Sequence, residues 1–155
     1  MDRIGKLNLL ASLERPASME CWNELLEFAH TQIDLGISDK SKAFGMKLAI
    51  EELLSNIIKA NSGCNDCSQG QEVKIEVASF NSRQDNKNLF VLRTVDSGQF
   101  YNPHFDSLAD QIPDIPIEQR PVGGLGLFLV KTSVDSAHYA YADGHNTYHL
   151  VTETD

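Results

Sequence analysis

Residues 121–130 read PVGGLGLFLV, in which three glycines come directly before an apolar run. The apolar run predicts a short core helix from Gly126 to about Val134. Glycines at a helix start let a ligand come close to the backbone, and the N–H groups and the helix dipole there favour an anion. A flexible loop before an ordinary core helix would give the same pattern. Other stretches of the chain are needed to choose between a phosphate site and a plain connection.

Two widespread phosphate-binding motifs do not fit these residues. A dinucleotide-binding fingerprint needs a further glycine, and residue 129 is Leu. A Walker loop needs the sequence Gly-Lys-Ser/Thr, and the nearby Lys131 lies inside the predicted helix. Any phosphate site here belongs to another class of nucleotide-binding protein.

The stretch 51–61, EELLSNIIKAN, predicts a helix with a polar stripe. At about 100° per residue, Glu52, Asn56 and Lys59 lie on one side of this helix. The opposite side is apolar and consists of Leu53, Leu54, Ile57 and Ile58. Asparagine is a poor helix former, so its place in mid-helix favours a specific role, although a solvated face would also fit.

The stretch 92–98, LRTVDSG, predicts a buried strand that ends at Asp96 and turns at Gly98. An aspartate at this point can simply cap its own turn. Alternatively, its carboxylate lies at the floor of a pocket and accepts a hydrogen bond from the exocyclic amine of a purine. A purine with a carbonyl at that edge would leave the acid without a donor. These residues alone leave both interpretations open.

The composition limits the class of protein. The 155 residues carry a formal net charge of -9, and 41% of them are hydrophobic, which predicts one globular domain with its own core. An acidic chain repels a phosphate backbone, so we expect no nucleic-acid partner. No run approaches the ~18 apolar residues of a bilayer span, and the first residues lack a signal-peptide core. We therefore expect no membrane association and a cytoplasmic location.

The cysteines carry little information. Their number is odd and small, which is typical of a reducing compartment. Cys64 and Cys67 have C-x-x-C spacing, and a zinc site with His145 and His149 would require the fold to bring distant residues together. The sequence favours two ordinary thiols in a polar loop.

Hydrophobic periodicity predicts three helices and five strands. The predicted helices are 17–35, a segment capped by Ser38 or Asp39 that runs to about 60, and 126–134. The predicted strands are 7–13, 73–77, 89–95, 137–142 and 147–152, with polar hairpins at 81–88 and 143–146. Helices and antiparallel strands are segregated along the chain, which predicts an α+β two-layer sandwich. In this class, helices cover one face of a mixed, mostly antiparallel sheet.

The order of the three polar stretches resembles a known ATP-binding domain. Glu52-x-x-x-Asn56, Asp96-x-Gly98, a proline-containing loop and the glycine turn follow one another as in gyrase, heat-shock chaperones, histidine kinases and mismatch-repair proteins. Within this GHKL superfamily the chain is most similar to the anti-sigma factor serine/threonine-protein kinases of bacterial stress and sporulation switches. The resemblance spans about 7–152, and its most specific parts are AIEELLSN and GGLGLFLVKTSVD. It implies a Bergerat fold in a single domain, 1–155, with a mobile ATP lid at about 104–122.

The resemblance also implies a role for each polar residue. Asn56 matches the asparagine that coordinates Mg²⁺ between the protein and the nucleotide phosphates. Glu52 matches the general base that activates the attacking hydroxyl, and Lys59 or Ser55 would steady the phosphates. Asp96 would bind the adenine amine, with room for the base at Gly98. The phosphates would lie along Gly123, Gly124, Leu125, Gly126 and Leu127.

Two positions depart from the family pattern. Phe100 follows the Asp-x-Gly motif where relatives often have a glycine, and Ala60 stands where relatives tend to have a histidine. Neither change removes a predicted ligand or base. Both concern affinity and turnover rather than the fold.

The resemblance predicts an ATP-dependent serine/threonine kinase that phosphorylates a small STAS-type anti-sigma-factor antagonist and also binds a sigma factor. The alternative is a nucleotide-binding switch that sequesters a partner without phosphorylating it. A third possibility, the ATPase half of a histidine kinase, fits less well because His30 lacks the sequence context of a phosphoacceptor. The family also implies a homodimer, with the first strand and first helix as the contact.

Overall fold

The computed structural model describes residues 6–62, 72–82, 87–97 and 124–154. Within these ranges the chain forms five strands, three α-helices and a short 3₁₀ turn at Met19–Cys21. In chain order the elements are β1 (Lys6–Pro16), α1 (Trp22–Gly36), α2 (Lys40–Ser62), β2 (Glu72–Ser82), β3 (Lys87–Asp96), α3 (Gly124–Ser133), β4 (Ser136–Ala142) and β5 (His145–Glu153). All eight predicted elements are present. The predicted hairpin 81–88 is shorter than expected, because both flanking strands extend into it.

The sheet has the strand order β1-β2-β3-β5-β4, and each neighbouring pair of these strands is antiparallel. The α+β class is confirmed. The predicted sheet was mixed, whereas the described strands include no parallel pair. Asp96, at the end of β3, pairs with Val73 on β2 and with Asn146 on β5. A central position in the sheet therefore holds the predicted purine-binding acid.

One face of the sheet forms a single hydrophobic core with the helices. The strand residues in this core occupy every second position along each strand, as expected for an antiparallel sheet with one face buried. They include Val73, Ile75, Val77, Phe90, Leu92, Tyr148 and Leu150. Burial of this face against α1, α2 and α3 supplies the main apolar driving force of the fold.

Helix α2 shows the predicted division into two sides. The backbone N–H of Lys42 donates to the Asp39 carboxylate at 3.0 Å, so Asp39 rather than Ser38 caps the helix. The predicted apolar side is buried, with exposed fractions of 0–4% at Leu53, Leu54, Ile57 and Ile58. The stripe on the other side is thereby held at a fixed angle to the core.

Helices α2 and α3 approach each other closely at Gly45. A Cβ atom at this position would lie 2.3 Å from the backbone oxygen of Ser133, near the end of α3. A real Cβ cannot occupy that distance, so any other residue would push the two helices apart. Glycine is required here for packing, and it sets the separation of the two helix backbones.

The last hairpin turns more tightly than predicted. Asp143 and Gly144 have φ values of 54° and 77°, which is the geometry of a two-residue turn with both central residues in the left-handed region. β5 therefore begins at His145, two residues before the predicted strand. As a consequence, Asn146 is a strand residue and not a turn residue.

The other face of the sheet, which we call the open face, has no helix on it within the described residues. A groove of about 280 Å³ runs across it, lined by Ala78, Phe80, Leu89, Val91 and Val151 together with Glu76, Arg93, His138 and His149. Ala78 and Val91 are buried but lie outside the main core. None of the described helices is long and apolar enough to cross a membrane.

Candidate nucleotide-binding site

The stripe on α2 combines an acid with an unsatisfied amide. Glu52 and Asn56 are half-buried and lie one helical turn apart, while Lys59 is exposed near the end of the helix. The Nδ2 atom of Asn56 is buried and has no hydrogen-bond partner among the described residues. Leaving such a group unpaired costs about 1–3 kcal/mol. The cost is explained if a ligand completes the site.

The amide of Asn56 fits a magnesium nucleotide. Its Nδ2 can donate to a phosphate oxygen, and its Oδ1 is the hard oxygen ligand that Mg²⁺ prefers. No group of three His, Cys, Asp or Glu side chains that could hold a metal occurs in the described ranges. A magnesium ion at Asn56 would therefore take most of its ligands from phosphates and water, which is its common mode in nucleotide sites.

Glu51 lies on a different side of α2 from this stripe. Burial and the charge of Lys47 lower the pKa of His30 on α1, and the charges of Glu51 and Asp34 partly oppose them. Glu51 is thus close enough to α1 to act on His30, and its side chain is exposed. The prediction that only the second glutamate belongs to the stripe agrees with this arrangement.

Asp96 lies in a buried polar cluster. Only 4% of its surface is exposed, and its Oδ1 accepts a hydrogen bond from Asn146 Nδ2 at 3.1 Å. Asn146 is 2% exposed, and its Oδ1 accepts a hydrogen bond from the Tyr139 hydroxyl at 2.5 Å. A simple turn-capping aspartate would not need a buried side-chain partner from another strand, as Asn146 on β5 provides here. The geometry favours the pocket-floor interpretation.

Thr94 adds a second unsatisfied group to this part of the sheet. It is fully buried, and its hydroxyl has no hydrogen-bond partner within the described residues. It lies two residues before Asp96 and therefore on the same side of β3. A polar ligand or an ordered water beside Asp96 would satisfy the hydroxyl.

The glycine stretch begins a helix, as predicted, but two residues earlier. α3 starts at Gly124, so Gly124, Leu125, Gly126 and Leu127 form its first turn. The first N–H groups of a helix lack acceptors within it, and no acidic residue lies in this turn to repel an anion. The backbone therefore has the properties required of a phosphate site.

The three predicted loci lie on elements that pack against one another. α2 contacts both α3 and β5, and β5 pairs with β3. Gly98, Gly123, Phe100, the predicted lid at 104–122 and the cysteines Cys64 and Cys67 lie outside the described residues.

Sequence reasoning missed Asn146 and Tyr139. Asn146 was assigned to the last turn, and nothing in its neighbours marks it as a functional residue. The Asp143-Gly144 dipeptide indicates that Asn146 is a strand residue, because this dipeptide favours a two-residue turn and thereby fixes the hairpin register. Tyr139 would follow from that register, because it lies diagonally across from Asn146 on the adjacent strand.

The model of the histidine kinase-like ATPase domain family matches residues 17–152 of the chain. The chain belongs to this family, and the predicted GHKL superfamily is confirmed. Membership of a family of ATPase domains implies that the chain binds ATP.

The fold is similar to the crystal structure of the RsbU and RsbW domains of Rv1364c from Mycobacterium tuberculosis, with a TM-score of 0.53 at 18% sequence identity. The similar region covers 92% of this chain and 32% of that chain, so this chain spans about a third of the length of that protein. This likeness concerns the fold alone. No curated protein matches the sequence significantly.

Proposed function

We propose that the chain is an ATP-dependent serine/threonine protein kinase that phosphorylates a small STAS-type anti-sigma-factor antagonist and regulates a sigma factor in the cytoplasm. The proposal is carried by one observation: Glu52 lies one turn before Asn56, whose buried Nδ2 has no hydrogen-bond partner in the part of the chain that the structure describes. This pairing offers a base beside a phosphate or cation ligand. Family membership makes the nucleotide ATP.

Phosphoryl transfer needs positioning and charge stabilisation more than covalent chemistry by the protein. Asp96 would accept a hydrogen bond from the adenine amine, and the first turn of α3, with Gly123 and Gly98, would surround the phosphates and the base. Asn56 would hold Mg²⁺, which would neutralise charge on the phosphates. Lys59 would add a positive charge at the edge of the phosphate site. Glu52 would take the proton of the substrate hydroxyl. The segment 104–122 would close over the nucleotide.

The proposal is tested by transfer of labelled phosphate. The chain is incubated with γ-labelled ATP and Mg²⁺ together with each STAS-type protein of its host. We expect label on a serine or threonine of one such protein, and loss of labelling when EDTA removes Mg²⁺. ATP binding without transfer to any of them would overturn the kinase proposal.

A nucleotide-binding switch without kinase activity is the second candidate. It is favoured by Phe100 and Ala60, the two departures from the family pattern. Under this alternative, ATP would change the affinity for a partner while no phosphate is transferred. A pull-down from the host with and without ATP, followed by the labelling assay, separates the two candidates.

We also propose that the chain is a homodimer, as the family resemblance implies, and that the open face is its contact. Five strands at ~4.8 Å spacing present a face of roughly 700 Å². That area is close to the ~800 Å² that each partner buries in a standard interface. This contact differs from the first strand and first helix predicted from the resemblance, although β1 contributes its edge.

The polar residues of the open face form one row across the sheet. A row across the sheet runs from Glu76 through Arg93 and His149 to His138. Arg93 Nε lies 2.8 Å from Glu76 Oε1, and burial, Arg93 and His138 lower the pKa of His149. A two-fold axis parallel to the strands would reverse the row in the second copy and place Glu76 of one copy opposite His138 of the other.

Leu9→Glu is expected to convert the dimer into a monomer in sedimentation velocity experiments. Leu9 is 59% exposed and pairs with Ala78 on the open face, so a charge there would be desolvated in the dimer. Leu35→Glu is the matched control, because Leu35 is 76% exposed at the end of α1. If Leu9→Glu remains a dimer and Leu35→Glu becomes a monomer, the dimer contact lies on the helices instead.

A further inference from the structure

The orientation of the Asn146 side chain is determined by its two neighbours. An ionised carboxylate only accepts hydrogen bonds, so the amide must turn its Nδ2 towards Asp96, at 3.1 Å. Its Oδ1 then points the other way and needs a donor. The hydroxyl of Tyr139 supplies that donor at 2.5 Å. The three side chains form a chain of hydrogen bonds with a single direction, from Tyr139 to Asn146 to Asp96.

This chain of hydrogen bonds links three strands of the sheet and is buried at Asp96 and Asn146 and partly buried at Tyr139. Asp96 lies on β3, Asn146 on β5 and Tyr139 on the edge strand β4. The Tyr139 ring is held against Tyr148, with ring centroids 5.1 Å apart. Hydrogen bonds between buried groups reinforce one another, and a buried amide without its donor is costly. The position of the Asp96 carboxylate therefore depends on a residue that belongs to a different hairpin.

We propose that Tyr139 is a positioning residue for purine recognition, acting through Asn146 on Asp96. This inference rests on the proposed function, in which Asp96 accepts a hydrogen bond from the 6-amino group of adenine. Asn146 occupies one carboxylate oxygen and fixes the plane of the carboxylate. With Tyr139 in place, the Asp96 carboxylate keeps the orientation that accepts a hydrogen bond from the purine amine. Without the tyrosine hydroxyl, Asn146 Oδ1 loses this donor, and the amide no longer holds the carboxylate as firmly in one direction.

The test compares ATP with inosine triphosphate, a purine triphosphate that carries a carbonyl where adenine has the amine. Tyr139→Phe keeps the ring and its contact with Tyr148, so the variant is expected to fold. We expect its affinity for ATP to fall about fivefold to thirtyfold, from the loss of one buried hydrogen bond in a network. Affinity for inosine triphosphate should change less than twofold, because that base does not use Asp96 as an acceptor. Both affinities are measured by isothermal titration calorimetry.

A double-mutant cycle shows whether Tyr139 acts through Asn146. In the Asn146→Ala background, Tyr139→Phe should have no further effect on ATP affinity. Equal losses for both nucleotides would mean that Tyr139 only supports the fold, and this result overturns the inference. An undiminished preference for ATP in Tyr139→Phe also overturns it while leaving the proposed function intact. A native chain that binds both nucleotides equally would overturn the role of Asp96 and, with it, this inference.

Discussion

Glu52→Gln is expected to slow phosphoryl transfer about 10²–10⁴-fold, which is the usual contribution of a general base. Glutamine has nearly the same shape but cannot take the proton of the attacking hydroxyl. ATP affinity should stay within about twofold, since Glu52 has no assigned contact with the nucleotide. The measurement is the initial rate of phosphate transfer to the antagonist identified by the labelling experiment, together with ATP titration of the same variant.

Glu51→Gln is the matched control for this prediction. It removes the same charge one residue earlier, on the exposed side of α2 that faces His30. It should leave both the transfer rate and ATP affinity near their native values. A native rate in Glu52→Gln would remove Glu52 from the chemistry, and an equal loss in both variants would indicate a general effect of charge.

Asp96→Asn is expected to weaken ATP binding about 10- to 100-fold, the range for the loss of a charge-assisted hydrogen bond in a buried site. The fold should survive, because an asparagine oxygen can still accept the hydrogen bond from Asn146 Nδ2. Titration calorimetry measures the affinity, and the thermal midpoint of unfolding shows whether the fold is intact.

Asp143→Asn is the control for the change at Asp96. Asp143 lies in the exposed turn between β4 and β5 with a φ of 54°, a conformation that asparagine adopts readily. ATP affinity should not change. Native ATP affinity in Asp96→Asn would assign the buried polar cluster to the stability of the sheet rather than to the nucleotide.

The sequence predicts most of the fold because the hydrophobic periodicity is strong where burial is strong. In α2 the apolar side is buried at every predicted position, since packing against the sheet enforces the helical period. The sequence singles out Asp96 as a candidate because it ends a strongly apolar strand. The class of the sheet followed from the segregation of helices and strands along the chain.

The misses have physical causes that a single sequence does not display. Glycine has low helix propensity, so the start of α3 was placed at Gly126, whereas the helix begins at Gly124. Asn146 was missed because its partner is 50 residues away in the chain, and strand register depends on turn geometry. The polar row on the open face requires the order of four strands, which local patterns do not contain.

The close approach of Gly45 to Ser133 has a consequence for how the chain can evolve. α2 carries the proposed base and metal ligand, and α3 begins with the proposed phosphate turn. The contact joins these two helices without an intervening side chain. Substitutions elsewhere do not alter the separation of α2 and α3 at this point, because main-chain atoms set it. Selection can therefore change surface residues while the separation of α2 and α3 is inherited unchanged.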